Sequence, residues 1–549
     1  MIKKACLEIL EELKKDKIKD QDSFNILKIK ISKKYRLKEI LTNIKILCYL
    51  SKKDVEKFKD ILITKPSRTS SGVTVVAVMS KPKKCEHGKC IYCPGGPGSI
   101  FGDVPQSYTG SEPATMRGIR NKFDSYLQVF NRLEHYVLMN HDISKVELII
   151  MGGTFMSFDK KYRDEFVGYA FKALNDFSKM FFDKEFDLEE FKKFFELPGE
   201  VDDKKRTLKI QEKLLKLKGK CELVKEQLRN EKSSVRCVGL TIETRPDFAD
   251  LEYCNEMLRL GCTRVELGVQ SVYDNVLKKI ERGHTSKESI EGIRILKDLG
   301  FKINIHYMVG LFVDYKKDLE GMKELFINED YKPDMLKIYP CAVIKGTKLY
   351  DLWRNGEYKA LSNEEAIKLI SEFKKIVPEY CRIMRVQRDI PSKNIAAGVN
   401  LSNLRQYLDK NCKCIRCREY KSGEIGEVKL KVFEYNASKG KEFFISYENS
   451  KLLGFCRLRF PSQYLRKEIV KGSALIRELH VYGSSVKIGE KGKGIQHRGF
   501  GKKLLKKAEE ICKKNNIKKI IVISGVGVRE YYRKLGYKKE GVYMVKKLN

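Results

Sequence analysis

The run C-E-H-G-K-C-I-Y-C-P-G-G, residues 85–96, places three cysteines, Cys85, Cys90 and Cys93, at spacings of four and two intervening residues. This spacing supplies three thiolates and no obvious fourth. Iron–sulfur cubes are normally held by four cysteines, so three would leave one iron open to a small molecule. Zinc is the main rival interpretation, because zinc also takes Cys and His ligands and His87 lies inside the run.

Outward from this run, short apolar segments alternate with helical stretches. The predicted strands are V-T-V-V-A-V, V-E-L-I-I-M, V-G-L-T-I-E-T, T-R-V-E-L-G-V-Q, I-N-I-H-Y-M-V and M-L-K-I-Y-P. Repeated strand–helix alternation with near-continuous apolar strands predicts a parallel α/β sheet. Six strands suit a partial (β/α)6 barrel, in which residues at the carboxyl ends of the strands would face the reaction.

An iron left open is what a radical S-adenosylmethionine (SAM) enzyme needs, because SAM binds it, accepts an electron and breaks into methionine and a 5′-deoxyadenosyl radical. Gly152, Gly153 and Thr154 end the second predicted strand. Paired glycines let the backbone approach a ligand closely, and such a segment receives the amino group of SAM in radical SAM proteins. Glu243 or Arg245, ending the next strand, could bind the SAM ribose or carboxylate, and Gln270 ends the strand after that. An ordinary barrel salt bridge is the alternative for this pair.

The amino-acid composition is typical of a globular protein, and its charge predicts a polyanionic partner. The 549 residues suit roughly three domains, and 42% hydrophobic with 33% charged residues excludes a disordered chain. Sixteen cysteines and no secretion signal indicate a reducing cytoplasm, and no apolar run reaches the ~20 residues of a membrane span. The net charge of +37 points to nucleic acid. The alternative is a lysine-rich compositional bias, which would raise Glu equally, yet acids fall well short.

Four regions are expected along the chain. The pattern of residues 1–68 predicts a small basic helical domain that binds RNA. Residues 69–395 are predicted to form the barrel, with a charged helical insertion at about 181–232. Residues 396–428 form a Cys-rich linker and residues 429–549 a compact α+β unit. The predicted RNA-binding side chains of the first region are Lys14, Lys15, Lys17, Lys19, Lys28, Lys30, Lys33, Lys34, Arg36 and Lys38. A solvated helix face is the alternative reading of these lysines.

The linker carries a second metal motif, C-x-C-x-x-C at Cys412, Cys414 and Cys417. This spacing predicts a structural zinc between the two large domains, and such a site needs a fourth ligand. Cys341, Cys381 or a distant His are the candidates. A second cluster or free thiols are the alternatives.

The last region contains the segment Q-H-R-G-F-G at residues 496–501, which opens the helix K-K-L-L-K-K-A-E-E-I. This pattern resembles the pyrophosphate loop of GNAT acyltransferases, where small residues expose backbone N–H groups at a helix N-terminus. Glu478 and His480 lie two apart on a strand and so share a face, where either could act as a base near a thioester. A satisfied polar pair is the alternative. Tyr531 and Tyr532 start a later helix, where GNAT enzymes commonly place a tyrosine that donates a hydrogen bond to the CoA sulfur, so both are candidate catalytic residues.

The motifs together resemble the catalytic subunit of Elongator, a family that joins a radical SAM domain to an acetyltransferase domain. The matching segments, from about residue 70 to the C-terminus, are C-E-H-G-K-C-I-Y-C-P-G-G, I-M-G-G-T-F-M, L-T-I-E-T-R-P-D, R-V-E-L-G-V-Q-S, L-K-I-Y-P-C, V-Q-R-D-I-P and R-E-L-H-V-Y-G. One departure is H-Y-M-V-G-L-F-V at residues 306–313, where Val309 and Phe312 stand in place of expected prolines. This puts the local turn in doubt.

The resemblance implies cofactors and contacts. A [4Fe-4S] cluster would bind Cys85, Cys90 and Cys93, SAM would bind beside it, and acetyl-CoA would bind the last domain. The implied acetyl-CoA contacts are Tyr532, the backbone at Glu478, Leu479, His480 and Val481, the backbone at Phe500, Gly501 and Lys502, and Lys145 reaching in from the barrel domain. An exposed loop lysine is the alternative for Lys145.

The implied activity is modification of the wobble uridine, U34, in the tRNA anticodon stem-loop. A SAM-derived radical would take hydrogen from the acetyl-CoA methyl, the product would add to uridine C5, and oxidation and thioester hydrolysis would leave a carboxymethyl-type group. A protein lysine acetyltransferase with a structural radical SAM domain is the second hypothesis, and an RNA-binding scaffold is the third. The sequence does not identify the electron donor, and a homodimer is one possible assembly of the chain.

Overall fold

The computed structural model describes residues 1–16, 18–69, 71–200, 203–421, 423–483 and 499–548. Short helices form the N-terminal region: α1 (Ile2–Lys14), α2 (Gln21–Lys34), α3 (Asn43–Leu47), α4 (Lys52–Lys57) and α5 (Lys59–Leu62). The predicted apolar faces of the first two helices are buried, including Cys6, Ile9 and Phe24. The prediction for Lys28 was wrong. This lysine is buried, and its Nζ donates to Asn43 Oδ1 at 2.7 Å, because its helical position faces the core. Lys17 lies outside the described residues.

A long central region follows, in which strands and helices alternate. Its elements are β1 (Thr74–Met79), β2 (Gly96–Ser99), β3 (Gly102–Val104), α6 (Pro113–Arg120), α7 (Ser125–Leu138), β4 (Lys145–Met151), α8 (Lys160–Phe181), α9 (Leu188–Phe194), α10 (Lys204–Lys218), α11 (Leu223–Asn230), β5 (Arg236–Thr244), α12 (Leu251–Arg259), β6 (Arg264–Gln270), α13 (Asp274–Lys279), α14 (Ser286–Asp298), β7 (Lys302–Val309), α15 (Tyr315–Ile327), β8 (Met335–Pro340), β9 (Val343–Ile344), α16 (Lys348–Arg354), α17 (Asn363–Ile376), β10 (Arg382–Arg385), β11 (Ile395–Ala397) and α18 (Ile415–Arg418).

The central sheet is parallel and open, with strand order β1-β4-β5-β6-β7-β8-β10. All six predicted strands are present. The sheet also has a seventh strand, β10, whose sequence R-I-M-R is short and half charged and therefore lacks the apolar pattern of a buried strand. Helices cover the outer face, and the inner face surrounds a cavity. The charged insertion is helical as predicted, from the end of α8 through α11.

The turn after β7 is built without the two expected prolines. Gly310 has φ 82° and Phe312 has φ 55°, and the Gly310 N–H donates to Asp318 Oδ2 at 2.5 Å. Proline is restricted to φ near −65°, so a left-handed residue at position 312 could not be proline. The backbone conformation of this turn is therefore incompatible with the proline expected at position 312.

The C-terminal region is a mixed sheet with two helices. Its elements are β12 (Lys429–Ala437), β13 (Gly440–Glu448), β14 (Leu452–Phe460), β15 (Ser473–Val481), α19 (Phe500–Lys514), β16 (Lys519–Val522), α20 (Arg529–Arg533), β17 (Lys538–Glu540) and β18 (Tyr543–Lys547). The strand order is β12-β13-β14-β15-β16-β18-β17, with only β15 and β16 parallel among the described pairs. Four strands, β12 to β15, precede α19. Residues 496–498 of the predicted pyrophosphate loop lie outside the described residues.

The two large domains meet at the amino-terminal ends of the barrel strands. A 3-10 turn, Val526–Val528, lies against the start of β5, where a Cβ added at Gly525 or Gly527 would overlap the β5 backbone or the Arg236 side chain. Buried ion pairs cross the same seam. Arg477 of β15 binds Asp334 just before β8, and Arg459 of β14 binds Asp298 at the end of α14. This packing fixes the acetyltransferase-like domain beneath the barrel.

Candidate functional site

The barrel encloses a cavity of about 200 Å³ that opens at the carboxyl ends of the strands. Cys85, Cys90 and Cys93 all line it. Their loop follows β1, so the parallel sheet itself brings the cysteines to the edge where ligands bind in α/β folds. The sequence-predicted trio is therefore assembled at one end of one cavity.

Hydrogen-bond donors point at these sulfur atoms. The Ser107 N–H donates to Cys93 Sγ at 3.2 Å, an Arg282 Nη donates to Cys90 Sγ at 3.6 Å, and His87 Nε2 lies 3.3 Å from Cys90 Sγ. Donors of this kind stabilise thiolate and cluster sulfur. Arg282 is fixed by a second bond to the Gly268 carbonyl at 2.7 Å. The cysteine end is thus suited to an iron–sulfur cluster.

The two glycines after β4 both adopt left-handed backbone conformations. Gly152 has φ 130° and Gly153 has φ 90°, both in the region that favours glycine. A Cβ at Gly152 would overlap the Ser80 hydroxyl, and Gly153 and Thr154 line the cavity. Gln270 also lines it, has φ 67°, and keeps a buried Oε1 that has no partner among the described residues. These residues form one wall beside the cysteines, which fits a bound SAM.

Glu243 and Arg245 lie in the same cavity but have different surroundings. Arg245 binds Asp247 through two hydrogen bonds of 2.8 and 2.9 Å, so the salt bridge expected as the alternative is present. Glu243 accepts a 3.0 Å hydrogen bond from Tyr108, and burial raises the pKa of its carboxyl to about 7. Of these two residues, Arg245 is therefore committed to an ion pair, whereas Glu243 presents its carboxyl to the cavity.

Deeper in the cavity lies a polar floor, formed by Glu243, Glu266, His306 and Lys337. Lys337 Nζ contacts a Glu266 oxygen and lies 3.9 Å from Glu243, and His306 Nε2 is 2.9 Å from Glu266. The two carboxylates and the imidazole approach within 4.8 Å of one another, as metal ligands do. The Lys337 ammonium already pairs with Glu266 and lies near Glu243, and its positive charge argues against a metal cation there.

The second candidate site lies in the C-terminal domain, at the start of α19. Gly499 caps this 15-residue helix with φ 83° and no side-chain cap bond, which leaves its first N–H groups available to an anion. A Cβ at Gly501 would lie 2.9 Å from the Tyr531 hydroxyl. Tyr532 packs beside it, with ring centroids 5.3 Å apart. The structure therefore brings Phe500, Gly501, Lys502 and both tyrosines to one place.

Glu478 and His480 lie two residues apart on β15. Leu479 separates them, and Val481 ends the strand. Glu478 Oε2 accepts from Arg457 Nε at 2.9 Å, and although burial opposes ionisation, Lys302 and Arg457 hold its pKa below the usual value. Burial lowers the pKa of His480 to about 4, and His480 Nε2 is a buried atom without a partner among the described residues. His480 is the neutral member and Glu478 the ionised, already paired one.

Lys145 begins β4 and lies half-buried on the same side of the sheet as the cavity wall. Burial lowers the pKa of its ammonium. Its ladder partner, Arg236, contacts the Val526–Val528 turn that leads into α20. Lys145 thus lies next to the domain seam, and its contact with acetyl-CoA stays a prediction.

The three linker cysteines also come together. Cys412, Cys414 and Cys417 bring their sulfur atoms within 4.8 Å of one another. Of the candidates for a fourth ligand, Cys381 is adjacent, since its carbonyl accepts from the Ile415 N–H at 2.9 Å and its thiol interacts with Cys414. Cys341 instead follows the carboxyl end of β8 and lies in one buried cluster with Cys90, Cys93 and Tyr358.

Sequence reasoning missed several cavity residues. Tyr108, Arg282, Lys337, Arg385 and Arg388 line the same cavity. Lys337 could have been found, because it is the one cation in an otherwise apolar buried strand, L-K-I-Y-P. Arg282 and Tyr108 lie on connections, whose paths depend on tertiary packing.

Family models match nearly the whole chain. The ELP3 N-terminal domain matches residues 2–70, the Radical SAM superfamily residues 79–326, the Radical_SAM C-terminal domain residues 333–413 and the acetyltransferase (GNAT) family residues 413–537.

Individual relatives match over their full length. The tRNA uridine(34) acetyltransferase of Methanocaldococcus jannaschii is 45% identical, over 98% of this chain and 96% of that protein. Elongator complex protein 3 of Schizosaccharomyces pombe is 40% identical, over 99% of this chain and 98% of the relative. The solved structure of archaeal Elp3 from Methanocaldococcus infernus, lacking its N-terminus (1-46), superposes with a TM-score of 0.69 at 39% identity, over 87% of this chain and 100% of that one. Among the described residues, no helix combines the length and apolarity needed to span a bilayer.

Proposed function

This chain belongs to the Elongator complex protein 3 family, with a radical SAM domain and a GNAT domain in one polypeptide, and from that premise we propose that it modifies the wobble uridine of tRNA. The proposed product is a carboxymethyl-type group on uridine C5, built from acetyl-CoA. The observation that best supports this proposal is that buried ion pairs hold the two domains, each with its own candidate cofactor site, in one fixed arrangement.

The proposed reaction balances as follows. One hydrogen atom passes from the acetyl methyl to the 5′-deoxyadenosyl radical, which becomes 5′-deoxyadenosine, and the carbon radical left on the acetyl group forms a carbon–carbon bond at uridine C5. The adduct then loses one electron, which the oxidised cluster would accept, and the C5 proton, which passes to water. A further water molecule cleaves the thioester and releases CoA. When bound, the [4Fe-4S] cluster supplies the electron that cleaves SAM. Cys85, Cys90 and Cys93 would hold it.

The chain's own residues have separate tasks in this proposal. Gly152, Gly153, Thr154 and Gln270 hold SAM, with Glu243 facing its ribose. Gly501, Phe500 and Lys502 present backbone N–H groups to the CoA pyrophosphate. In this proposal Tyr532 contacts the thioester sulfur, and His480, which is neutral at pH 7 because burial lowers its pKa to about 4, takes a proton from water.

RNA binding is assigned to the N-terminal helices. Lys14, Lys30, Lys33 and Lys38 are exposed there. Exposed lysines bind phosphates in a salt-dependent way, and a stacked base must be splayed out of the anticodon to enter the cavity. A structural zinc on Cys412, Cys414, Cys417 and Cys381 would fix the linker beneath the barrel. The setting we propose is cytoplasmic.

The experiment that tests this function follows radiolabelled acetyl-CoA into tRNA under anaerobic conditions with SAM and a reductant. Wild-type protein should label U34 only when all three reagents are present. The Cys90→Ser variant should give no label. Equal labelling by Cys90→Ser would contradict the radical route and favour simple acetyl transfer.

A further inference from the structure

Two helices and their connections pack directly against the cysteine run. The Ile91 N–H donates to the carbonyl of Ile280, the residue after α13, at 3.2 Å. The N–H of Leu349, in the first turn of α16, donates to the Ile91 carbonyl at 2.9 Å. Ile91 follows Cys90 directly, so α13 and α16 are both bonded to the segment that carries the cluster ligands.

The same two elements contact the cysteine run further along its length. A Cβ added at Gly283, just after α13, would lie 2.5 Å from the His87 Cβ. A Cβ added at Gly346, just before α16, would lie 2.8 Å from the Cδ1 of Ile100, at the tip of the β2–β3 hairpin. Residues 87–100 therefore lie between the end of α13 and the start of α16.

Only a thin layer of chain separates this segment from solvent. Ile280 and Leu349 are fully buried, whereas the residue before each of them, Lys279 and Lys348, is exposed. One residue on each side thus lies between the solvent and Ile91. We call the exposed lysines of this surface the lysine face: Lys89, Lys278, Lys279, Lys345 and Lys348.

Nearby acids do not cancel the charge of the lysine face. Residues 86–89, 278–283 and 345–349 contain these five lysines and two exposed acids, Glu86 and Glu281. Glu281 pairs with Lys348 at 2.8 Å, an ion pair that joins the α13 and α16 sides. The Lys279 Nζ lies 4.1 Å from the centroid of the Phe312 ring, which holds it at the surface. The lysine face therefore keeps a net positive charge.

An apolar side chain lies beside these lysines. Ile100 is 62% exposed, although it packs on Gly346, the neighbour of Lys345. Protein–protein interfaces combine apolar contacts with a charged rim, whereas contacts to nucleic acid go mostly to phosphates and sugars. An exposed isoleucine among lysines fits a protein partner of opposite charge better than it fits RNA.

An electron has to enter the protein at the cysteine end, because cleavage of SAM consumes one. The cavity side of the cysteines is the side that fits SAM, along Gly152 and Gly153. The lysine face lies on the α13 and α16 side, where one buried residue separates solvent from Ile91. Electron transfer weakens steeply with distance, so a carrier bound at this surface would lie close to the cysteines.

We propose that the lysine face is the docking surface for a small acidic protein that carries single electrons. The reduced carrier loses one electron, and the cluster that Cys85, Cys90 and Cys93 would hold gains it, with no bond formed and no proton moved. Opposite charges speed such an encounter and make it sensitive to salt. This inference goes beyond the proposed function, because it holds whichever substrate the radical attacks.

Carbodiimide cross-linking tests the surface on unaltered, cluster-free protein, with a small acidic [4Fe-4S] ferredoxin as the probe. The reagent joins a lysine amine to a carboxylate as an amide and takes up the water that is lost. Peptide mass spectrometry should find the cross-links on lysines of the lysine face, and high salt should suppress them. Cross-links confined to other lysines, such as Lys30 and Lys33 of α2, would overturn the docking surface, as would their complete absence.

A charge-reversal variant tests the same surface by binding and by electron delivery. Lys278→Glu combined with Lys345→Glu should weaken ferredoxin binding about tenfold or more, and SAM cleavage driven by limiting reduced ferredoxin should slow in proportion. SAM cleavage driven by dithionite, which needs no docked protein, and tRNA affinity should both be unchanged. Lys513→Glu with Lys514→Glu makes the same change of charge at the end of α19 and should bind ferredoxin normally.

Each other outcome has a defined meaning. Unchanged ferredoxin affinity in the Lys278/Lys345 variant would overturn the docking surface, and lost tRNA affinity alongside it would assign the surface to RNA. If dithionite-driven cleavage is lost as well, the variant is misfolded and the cross-linking of unaltered protein decides. Wild-type protein that cleaves SAM with ferredoxin but makes no tRNA product would refute the proposed function and leave the docking surface standing.

Discussion

Arg477 of the acetyltransferase domain donates two hydrogen bonds, of 2.6 and 2.7 Å, to the carboxylate of Asp334 in the barrel domain. Both side chains are fully buried. Paired geometry of this kind is the strongest form of an Arg–carboxylate contact. The two cofactor domains are therefore locked at this point, and the relation between their sites is fixed by it.

Replacing Asp334 with Asn should destabilise the whole protein by about 3–5 kcal/mol, because Arg457 and Arg477 would remain buried with one carboxylate fewer. The measurement is the midpoint of urea unfolding. Asp389→Asn is the matched control, since its pair with Arg385 is exposed and should be worth under about 1 kcal/mol. Equal free energies of unfolding for the two variants would contradict the claim that the buried Arg477–Asp334 pair holds the two domains together.

The same pair predicts a pH dependence. Burial alone would raise the pKa of Asp334, but Arg477 and Arg457 outweigh it and hold the pKa well below 3.8. A depressed carboxyl pKa stabilises the folded state above the unfolded value and loses that contribution as pH falls through it. Wild-type stability should therefore decline steeply below about pH 4. Asp334→Asn should show a flatter decline, and an identical slope would count against the assignment.

Cys414→Ser should remove the zinc that we assign to the linker. Cys414 is the buried member of the trio, and its loss leaves three of the four proposed sulfur ligands, Cys412, Cys417 and Cys381, which cannot complete a tetrahedral site. The zinc content of the purified protein, measured by metal analysis, should fall by one ion per chain. Cys221→Ser, in the helical insertion, is the control and should keep the metal. Zinc retained by Cys414→Ser would refute the site.

Much of the barrel was predictable because its strands carry the period and apolarity of a parallel sheet. The paired glycines at 152 and 153 and the cysteine spacing likewise identify their site directly. Lys28 was assigned wrongly because a lysine in an amphipathic helix gives no sign that it bonds to Asn43. Arg282 and Tyr108 could not be placed, since connections between elements bring them to the cavity only after the sheet has formed. β10 was missed because two of its four residues are arginine.

Lys30→Glu combined with Lys33→Glu should weaken tRNA binding, because both lysines are exposed on α2. Each lost phosphate contact should reduce the slope of log affinity against log salt by roughly 0.7–0.9. Filter binding at several salt concentrations measures both quantities. Lys513→Glu with Lys514→Glu changes the same net charge at the end of α19 and should leave binding nearly unchanged. Equal effects of the two pairs would move the RNA surface away from α2.

Tyr532→Phe should lower acetyl-CoA affinity roughly fivefold, which corresponds to about 1 kcal/mol for one hydroxyl hydrogen bond. Phenylalanine keeps the ring, so packing in the buried cluster is preserved. Tyr537→Phe is the control, because that hydroxyl bonds to Glu509 at 3.0 Å and its ring belongs to the same cluster. Isothermal titration compares the variants, and unchanged affinity in Tyr532→Phe would take its hydroxyl out of the site.

The central claim is that a cluster held by three cysteines and a neighbouring acyl site act on one acetyl group. The direct measurement is the mass of 5′-deoxyadenosine formed anaerobically from SAM, tRNA and acetyl-CoA carrying three deuterium atoms on its methyl group. The account predicts 5′-deoxyadenosine that has gained one deuterium, in wild-type protein and not in Cys90→Ser. Deuterium-free 5′-deoxyadenosine formed alongside labelled tRNA would contradict it.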